Sequence, residues 1–210
     1  MANIKLKSAF FGRKQELRKL NLLLKKNSAS LVVVKGRRRI GKSRLIQEFG
    51  KDLKMISIAG LTPTDTTTLQ DELNAFGWQL GQALGQPPFK EDDWNTLFSR
   101  LANQTRQGRV LILFDEISWM GSKDPHFLGK LKNAWDQEFK NNPQLILVLC
   151  GSVSAWIEKN ILGSTGFLGR VSLNLTLEEL SLSESNEFWV KNKENISTYE
   201  KFKILSVAGG

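Results

Sequence analysis

One cysteine, Cys150, and one histidine, His126, stand among 210 residues. A lone cysteine excludes a disulfide framework and fits a reducing compartment. A lone histidine cannot build a histidine-based metal cluster. No apolar run approaches the roughly eighteen residues that cross a bilayer. The amino end is polar and basic, and its first apolar pair, Phe10 and Phe11, stops at Gly12, so a secretory leader is not expected. Repeats and low-complexity linkers are missing as well. These absences lead to the expectation of a cytoplasmic protein with no membrane partner. The 40% of hydrophobic and 24% of charged residues suit a packed globular chain rather than a disordered one. The length has room for one sizeable domain, or one domain and part of a second.

Charge of one sign is concentrated at one end. Residues 1–58 hold 16 Lys and Arg against three acids, whereas the rest hold 14 against 18. This asymmetry has two readings: a surface facing phosphate or nucleic acid through the basic amino-terminal part, or an ordinary solvated face.

Apolar periodicity alternates between two kinds. Helical spacing runs over 13–27, 42–53, 67–84, 94–104 and 127–139, with a short helix at 155–159 and two more polar ones at 184–193 and 198–207. Short apolar runs at 31–34, 55–58, 110–114 and 144–149, and the alternating run 171–175, read as strands. Runs without alternation suit strands buried on both faces of a parallel sheet. Strands alternating with helices predict an α/β fold, with a boundary near Thr176 where strands give way to helices alone.

Between the first strand and the second helix lies Gly36-Arg37-Arg38-Arg39-Ile40-Gly41-Lys42-Ser43, which satisfies G-x-x-x-x-G-K-[ST]. A triphosphate needs many donors on a tight curve, and glycines let backbone N–H groups supply them. The helix that follows, through Arg44, would point its positive end at the phosphates. Lys42 would reach the β- and γ-phosphates and Ser43 would ligate Mg²⁺. Without that ligand the segment is a basic surface turn. The strand 110–114 ends in Asp115 and Glu116. Asp115 is placed to reach the metal through water, and Glu116 to orient or deprotonate an attacking water; alternatively both are solvated strand ends. The strand before Gly151 delivers Ser152 to the same sheet edge, either to the γ-phosphate and attacking water or as a helix cap.

Taken together, these segments resemble an archaeal-type P-loop ATPase family that also occurs in bacteria. Phe10-Phe11-Gly12-Arg13 with Glu16-Leu17 is similar to the opening of AAA+ and signal-transduction ATPases. Asp115-Glu116-Ile117-Ser118-Trp119 and Gly166-Phe167-Leu168-Gly169-Arg170 resemble two further segments of the family. The resemblance implies a three-layer α/β/α sandwich with a parallel sheet of order 5-1-4-3-2, an ATPase core over 1–176 and the beginning of a helical lid over 177–210. It implies that Phe11, Gly12 and Arg13 lie near the adenine, and that Arg170 is an arginine finger or sensor; the plainer reading of Arg170 is a surface salt bridge. In such proteins a second Gly-Gly segment continues into a proline and the rest of the lid, so an end at Gly209-Gly210 is expected to leave the lid incomplete. The expected ligands are ATP or ADP with Mg²⁺. Three functions compete: an Mg-dependent ATPase driving a conformational cycle, a slow nucleotide-gated switch, and a DNA-associated protein using Lys14, Arg18 and Lys19. A homo-oligomer is the assembly that a trans-acting Arg170 would need.

Overall fold

The computed structural model describes residues 10–191 and 197–208. Five strands, β1 (Ser30–Lys35), β2 (Lys54–Ala59), β3 (Val110–Asp115), β4 (Leu145–Gly151) and β5 (Val171–Thr176), form one sheet. Its order is β2-β3-β4-β1-β5, and every neighbouring pair is parallel. This is the expected 5-1-4-3-2 arrangement.

The runs without alternation become strands buried along their whole length: all six residues of β1 and all seven of β4 are buried. One face carries Val32, Val34, Leu111, Leu113, Ile146 and Val148. It is covered by α1 (Lys14–Leu23) and α2 (Lys42–Phe49) through Leu20, Leu23, Leu45, Ile46 and Phe49. The other face meets α3 (Leu69–Leu84), α4 (Trp94–Gln104) and α6 (Phe127–Gln137). Phe76, Trp94, Phe98 and Phe127 knit that layer, with Phe76 edge-on to Trp94 at 5.4 Å and to Phe114 at 5.6 Å. Such edge contacts contribute about 0.5–1.5 kcal/mol each beyond area burial. The edge strand β2 is sealed at its end by an amide: Gln79 accepts from Ala59 N (2.8 Å) and donates to Ala59 O (2.9 Å).

Helix ends differ from the periodicity for local reasons. α1 stops at Leu23 rather than residue 27, because Lys25, Lys26, Asn27 and Ser28 are exposed and bring no apolar contact to continue it. α2 stops at Phe49: Gly50 lies so close to Met55 and Leu111 that a Cβ would sit 2.5 Å from Leu111 Cδ2, and the chain turns there. The cap of α3 is Thr68, in a capping box with Asp71, so the helix begins at Leu69 rather than at residue 67. Two short elements had no sequence signal: α5 (Ile117–Met120), directly after the acidic pair, and the π-turn Glu158–Leu162 that extends α7 (Ser154–Ile157). The last helices are α8 (Leu182–Lys191) and α9 (Thr198–Ala208). Residues 192–193 of the expected helix, 1–9, and Gly209-Gly210 lie outside the described residues. Among the described residues no helix is long and apolar enough to cross a membrane.

A parallel sheet has two unlike edges. All carboxyl ends lie on one side, at Lys35, Ala59, Asp115, Gly151 and Thr176, and all amino ends lie on the other.

Candidate nucleotide site

The carboxyl edge gathers most of the residues singled out by sequence. The loop from Gly36 to Ser43 joins β1 to α2 and contains three residues at positive φ: Gly36 (150°), Arg39 (65°) and Gly41 (93°). Gly36 is required twice over, because a Cβ there would stand 2.4 Å from the Leu177 carbonyl oxygen. Arg39 holds its left-handed conformation without that freedom, a cost of order 1–3 kcal/mol of a kind that gathers at ligand sites. Ile40 points into the core, so only its backbone faces the loop's concavity. Lys42 is buried, and its Nζ donates to Gly36 O at 2.9 Å and Arg37 O at 3.0 Å. The ammonium is thus the centre on which the loop curls. α2 begins with no side-chain cap and no acid in its first turn, leaving its N–H groups and positive end to an anion.

The acidic pair divides as its alternation dictates. Asp115 falls on the α2 side, where Ser43 Oγ donates to its Oδ2 at 2.5 Å. A hydroxyl and a carboxylate in contact at a loop that offers backbone donors suit Mg²⁺, a hard ion taking few protein ligands and keeping its waters. Among the described residues no group of three His, Cys, Asp or Glu side chains gathers to hold a metal. Glu116 adopts φ 49°, ψ 53° at the start of α5, which swings its carboxylate to β4. There Oε2 accepts from both Ser152 N (3.0 Å) and Ser152 Oγ (2.9 Å). Ser152 is not a helix cap: the residue preceding α7 is Val153, with no side-chain cap. Cys150, legible in the sequence only as the end of an apolar run, lies beside Asp115; burial first, then that carboxylate, push its thiol pKa up.

Arg13 is knitted into the protein. Only 6% exposed, its guanidinium donates to Ile40 O (3.2 Å), Glu178 O (2.6 Å) and Glu16 Oε1 (3.2 Å). It therefore joins the start of α1, the phosphate loop and the segment after β5. Gly12, at φ 68°, packs against Leu180 and Glu184, and Phe11 precedes it. Of the loop arginines, Arg37 pairs with Glu179 at 3.0 Å and Arg38 lies over the Trp119 ring at 5.6 Å, tying the loop to α5. Arg39 and Arg44 are exposed.

One predicted site residue lies elsewhere. Arg170 precedes β5, whose Val171 pairs with Leu31 near the start of β1, so it sits at the amino edge, about a strand's length from the loop. There it grips Asp136 with two nitrogens, Nε to Oδ1 at 2.9 Å and Nη2 to Oδ2 at 2.8 Å. This bidentate contact holds the Asp136 carboxyl well below the usual carboxylate range. The basic amino-terminal part is not one surface either. Lys14, Arg18 and Lys19 line a groove whose other wall carries Glu178, Glu179, Glu184 and Glu187, and Lys14 pairs with Glu187.

Comparison with known proteins agrees with the fold. An uncharacterized protein of Methanocaldococcus jannaschii, MJECL04, is 25% identical over 182 residues, covering 87% of this chain and 38% of that protein. Among solved structures, a Walker-type ATPase of Pyrococcus abyssi superposes with a TM-score of 0.66 at 17% identity, over 95% of this chain and 64% of that one. ORC2 of Aeropyrum pernix, solved in ADPNP–ADP complexes, gives 0.59 at 15% identity, over 88% and 53%. The chain thus spans less than two thirds of each of these relatives. A family model, described as an ATPase domain predominantly from Archaea, matches residues 10–210. This chain belongs to that family of P-loop ATPase domains.

Proposed function

We propose that the chain binds ATP with Mg²⁺ on the loop Gly36–Ser43 and hydrolyses it, in the manner of an AAA+-like ATPase. In this reading residues 1–176 are the ATPase core, and 177–210 begin a helical lid that nucleotide turnover moves. The observation that carries it is the line Ser43–Asp115–Glu116–Ser152: a hydroxyl and a carboxylate in 2.5 Å contact, with a second carboxylate one residue further held by the next strand. The loop and the acidic pair then serve as Walker A and Walker B elements. Ser43 and Asp115 hold Mg²⁺, which when bound neutralises charge on the phosphate oxygens. Lys42 exchanges its two loop carbonyls for β- and γ-phosphate oxygens, and the backbone of residues 36–44 supplies the remaining donors. Glu116 takes a proton from the attacking water, and Ser152 positions that carboxylate. Phe11, Gly12 and Arg13 border the base; Arg13 acts by fixing Ile40, since its donors are engaged by protein. Arg170 stabilises charge on a neighbouring copy's nucleotide, after release from Asp136.

A second reading, a slow nucleotide-gated switch, is favoured by one observation: the Glu116 carboxylate is already occupied by two donors from Ser152. A restrained base retains nucleotide longer than it hydrolyses it.

Isothermal calorimetry of MgATP binding tests the shared premise. Lys42→Ala should weaken affinity at least about a hundredfold, as expected for a buried charge lost from phosphate. Equal affinity in Lys42→Ala and the parent chain would refute binding at this loop.

A further inference from the structure

The amino edge of the sheet carries a second concentration of charge. Four segments meet there: 25–28 after α1, 51–54 leading into β2, 103–109 from the end of α4 to β3, and 140–144 before β4. Their residues are Lys25-Lys26-Asn27-Ser28, Lys51-Asp52-Leu53-Lys54, Asn103-Gln104-Thr105-Arg106-Gln107-Gly108-Arg109 and Lys140-Asn141-Asn142-Pro143-Gln144. They contain seven Lys and Arg and one acid, Asp52, and the seven cations are all exposed. The rest is amides, a serine, a threonine, a leucine, glycine and proline.

Hydrogen bonds fix these segments against each other. Arg109 Nη2 donates to Leu24 O at 3.1 Å, Asn142 Nδ2 to Thr105 O at 2.8 Å and Gly108 O at 2.9 Å, and Lys54 Nζ to Gln104 O at 3.1 Å. The charges therefore lie on one bonded platform rather than on independent tails. Among the described residues no carboxylate is within ion-pairing distance of Lys25, Lys26 or Arg106. Of the nearby acids, Glu48 pairs with Lys51, Asp136 is shared by Arg170, Lys132 and, at 3.8 Å, the platform's own Lys140, and Glu138 accepts from Ser99. With strands about 4.8 Å apart, the platform, which precedes the four neighbouring strands β2, β3, β4 and β1, runs about 14 Å across the sheet, the length of about four base-pair steps.

We propose that this amino edge is a docking surface for the phosphate backbone of a nucleic-acid duplex, separate from the nucleotide edge and independent of whether ATP is hydrolysed there. Lys, Arg, Ser, Asn and Gln are the side chains that hold phosphate and sugar oxygens without reading bases. None of the large apolar side chains exposed in the described residues falls in these segments, so the surface lacks the anchors of a membrane-binding face and the apolar centre of a protein interface. It also lacks the aromatic platforms on which single strands stack. A rigid row of cations with amides between them is left for the regular charges of a duplex.

The test is binding of the whole chain to short random-sequence duplexes, one of DNA and one of RNA, by fluorescence anisotropy across a salt series, beside phosphatidylserine vesicles. Lys25→Gln/Lys26→Gln/Arg106→Gln should weaken duplex binding about tenfold or more and flatten the slope of log K against log salt by about 2–3, since each phosphate contact contributes about 0.9. The same variant should keep its MgATP affinity, because the two edges are opposite; loss of nucleotide binding in the parent chain would count against the proposed function and leave this test intact. As the comparison, Arg18→Gln/Lys19→Gln, in the groove walled by glutamates, should change duplex affinity less than twofold. The proposal is overturned if neither duplex binds at low salt, if the triple variant keeps the parent slope, if the Arg18 and Lys19 variant loses more than the triple, or if vesicles bind and duplexes do not.

Discussion

The two edges of one sheet use positive charge in opposite ways. At the carboxyl edge most cations are engaged, the exposed Arg39 of the loop excepted: Lys42 with two carbonyls, Arg13 with two carbonyls and a carboxylate, Lys35 with Glu158, Arg37 with Glu179. The backbone there is bent into left-handed conformations at Gly12, Arg13, Gly36, Arg39, Gly41 and Glu116. At the amino edge positive φ falls on glycines such as Gly108 and Gly169, with no non-glycine residue strained, and Lys25, Lys26 and Arg106 stand in solvent. The first arrangement is organised in advance for a compact, highly charged ligand, with strain stored where donors must converge. The second suits an extended polyanion, for which geometry matters less than the number and spacing of charges.

Stability should separate the edges most widely. Arg13→Ala removes a buried guanidinium and leaves Ile40 O and Glu178 O without that donor, a loss of about 2–3 kcal/mol. Thermal unfolding should therefore fall by about 5–10 °C, with weaker MgATP binding, while Lys25→Gln/Lys26→Gln/Arg106→Gln should stay within about 2 °C of the parent. Similar losses in both would erase the distinction between an engaged and a solvated charge.

A smaller effect sharpens the carboxyl edge itself. Ser152→Ala removes one of the two donors on Glu116 and keeps the backbone N–H. If Ser152 positions the base, kcat should fall about tenfold at nearly constant KM. A rise in kcat would show instead that Ser152 restrains it, as a nucleotide-gated switch requires.

Arg170→Ala should have the smallest effect on an isolated chain, because it breaks a half-exposed pair at the far edge. Asp136 has a depressed folded-state pKa, so this pair stabilises above the unfolded carboxylate range and fades as pH falls below it. The unfolding difference between Arg170→Ala and the parent should accordingly narrow in acid. If Arg170 serves a neighbouring copy, turnover per subunit should rise with protein concentration in the parent and stay flat in Arg170→Ala. A flat parent profile would leave Arg170 as the partner of Asp136 alone.

Much of the carboxyl edge was legible in the sequence because its chemistry is local. Gly36–Ser43 is contiguous, Asp115 and Glu116 are adjacent, and each follows an apolar strand whose direction puts it at that edge. The sheet order was implied by family resemblance, and it agrees with the register of the five strands. The side-chain partners were not legible. Arg13 reaches Glu178 across 165 residues, Glu116 reaches Ser152 across 36, and neither pairing leaves a periodic trace. α5 is four residues long and the π-turn five, too short for an apolar stripe to show. The amino edge is the extreme case. The excess charge of residues 1–58 reads in the sequence as one basic amino-terminal part, but the fold sends Lys25, Lys26, Lys51 and Lys54 to the side opposite the loop. They meet Arg106, Arg109 and Lys140 there only because every strand is parallel.

Turnover of Glu116→Gln tests the central claim most directly. Glutamine keeps the shape and the contact with Ser152 but cannot accept the proton. With MgATP affinity measured on the same protein, Glu116→Gln should bind as the parent does and hydrolyse at least about a hundredfold more slowly. Equal turnover in the two proteins, at equal affinity, would contradict the account and leave Glu116 a structural residue that merely starts α5.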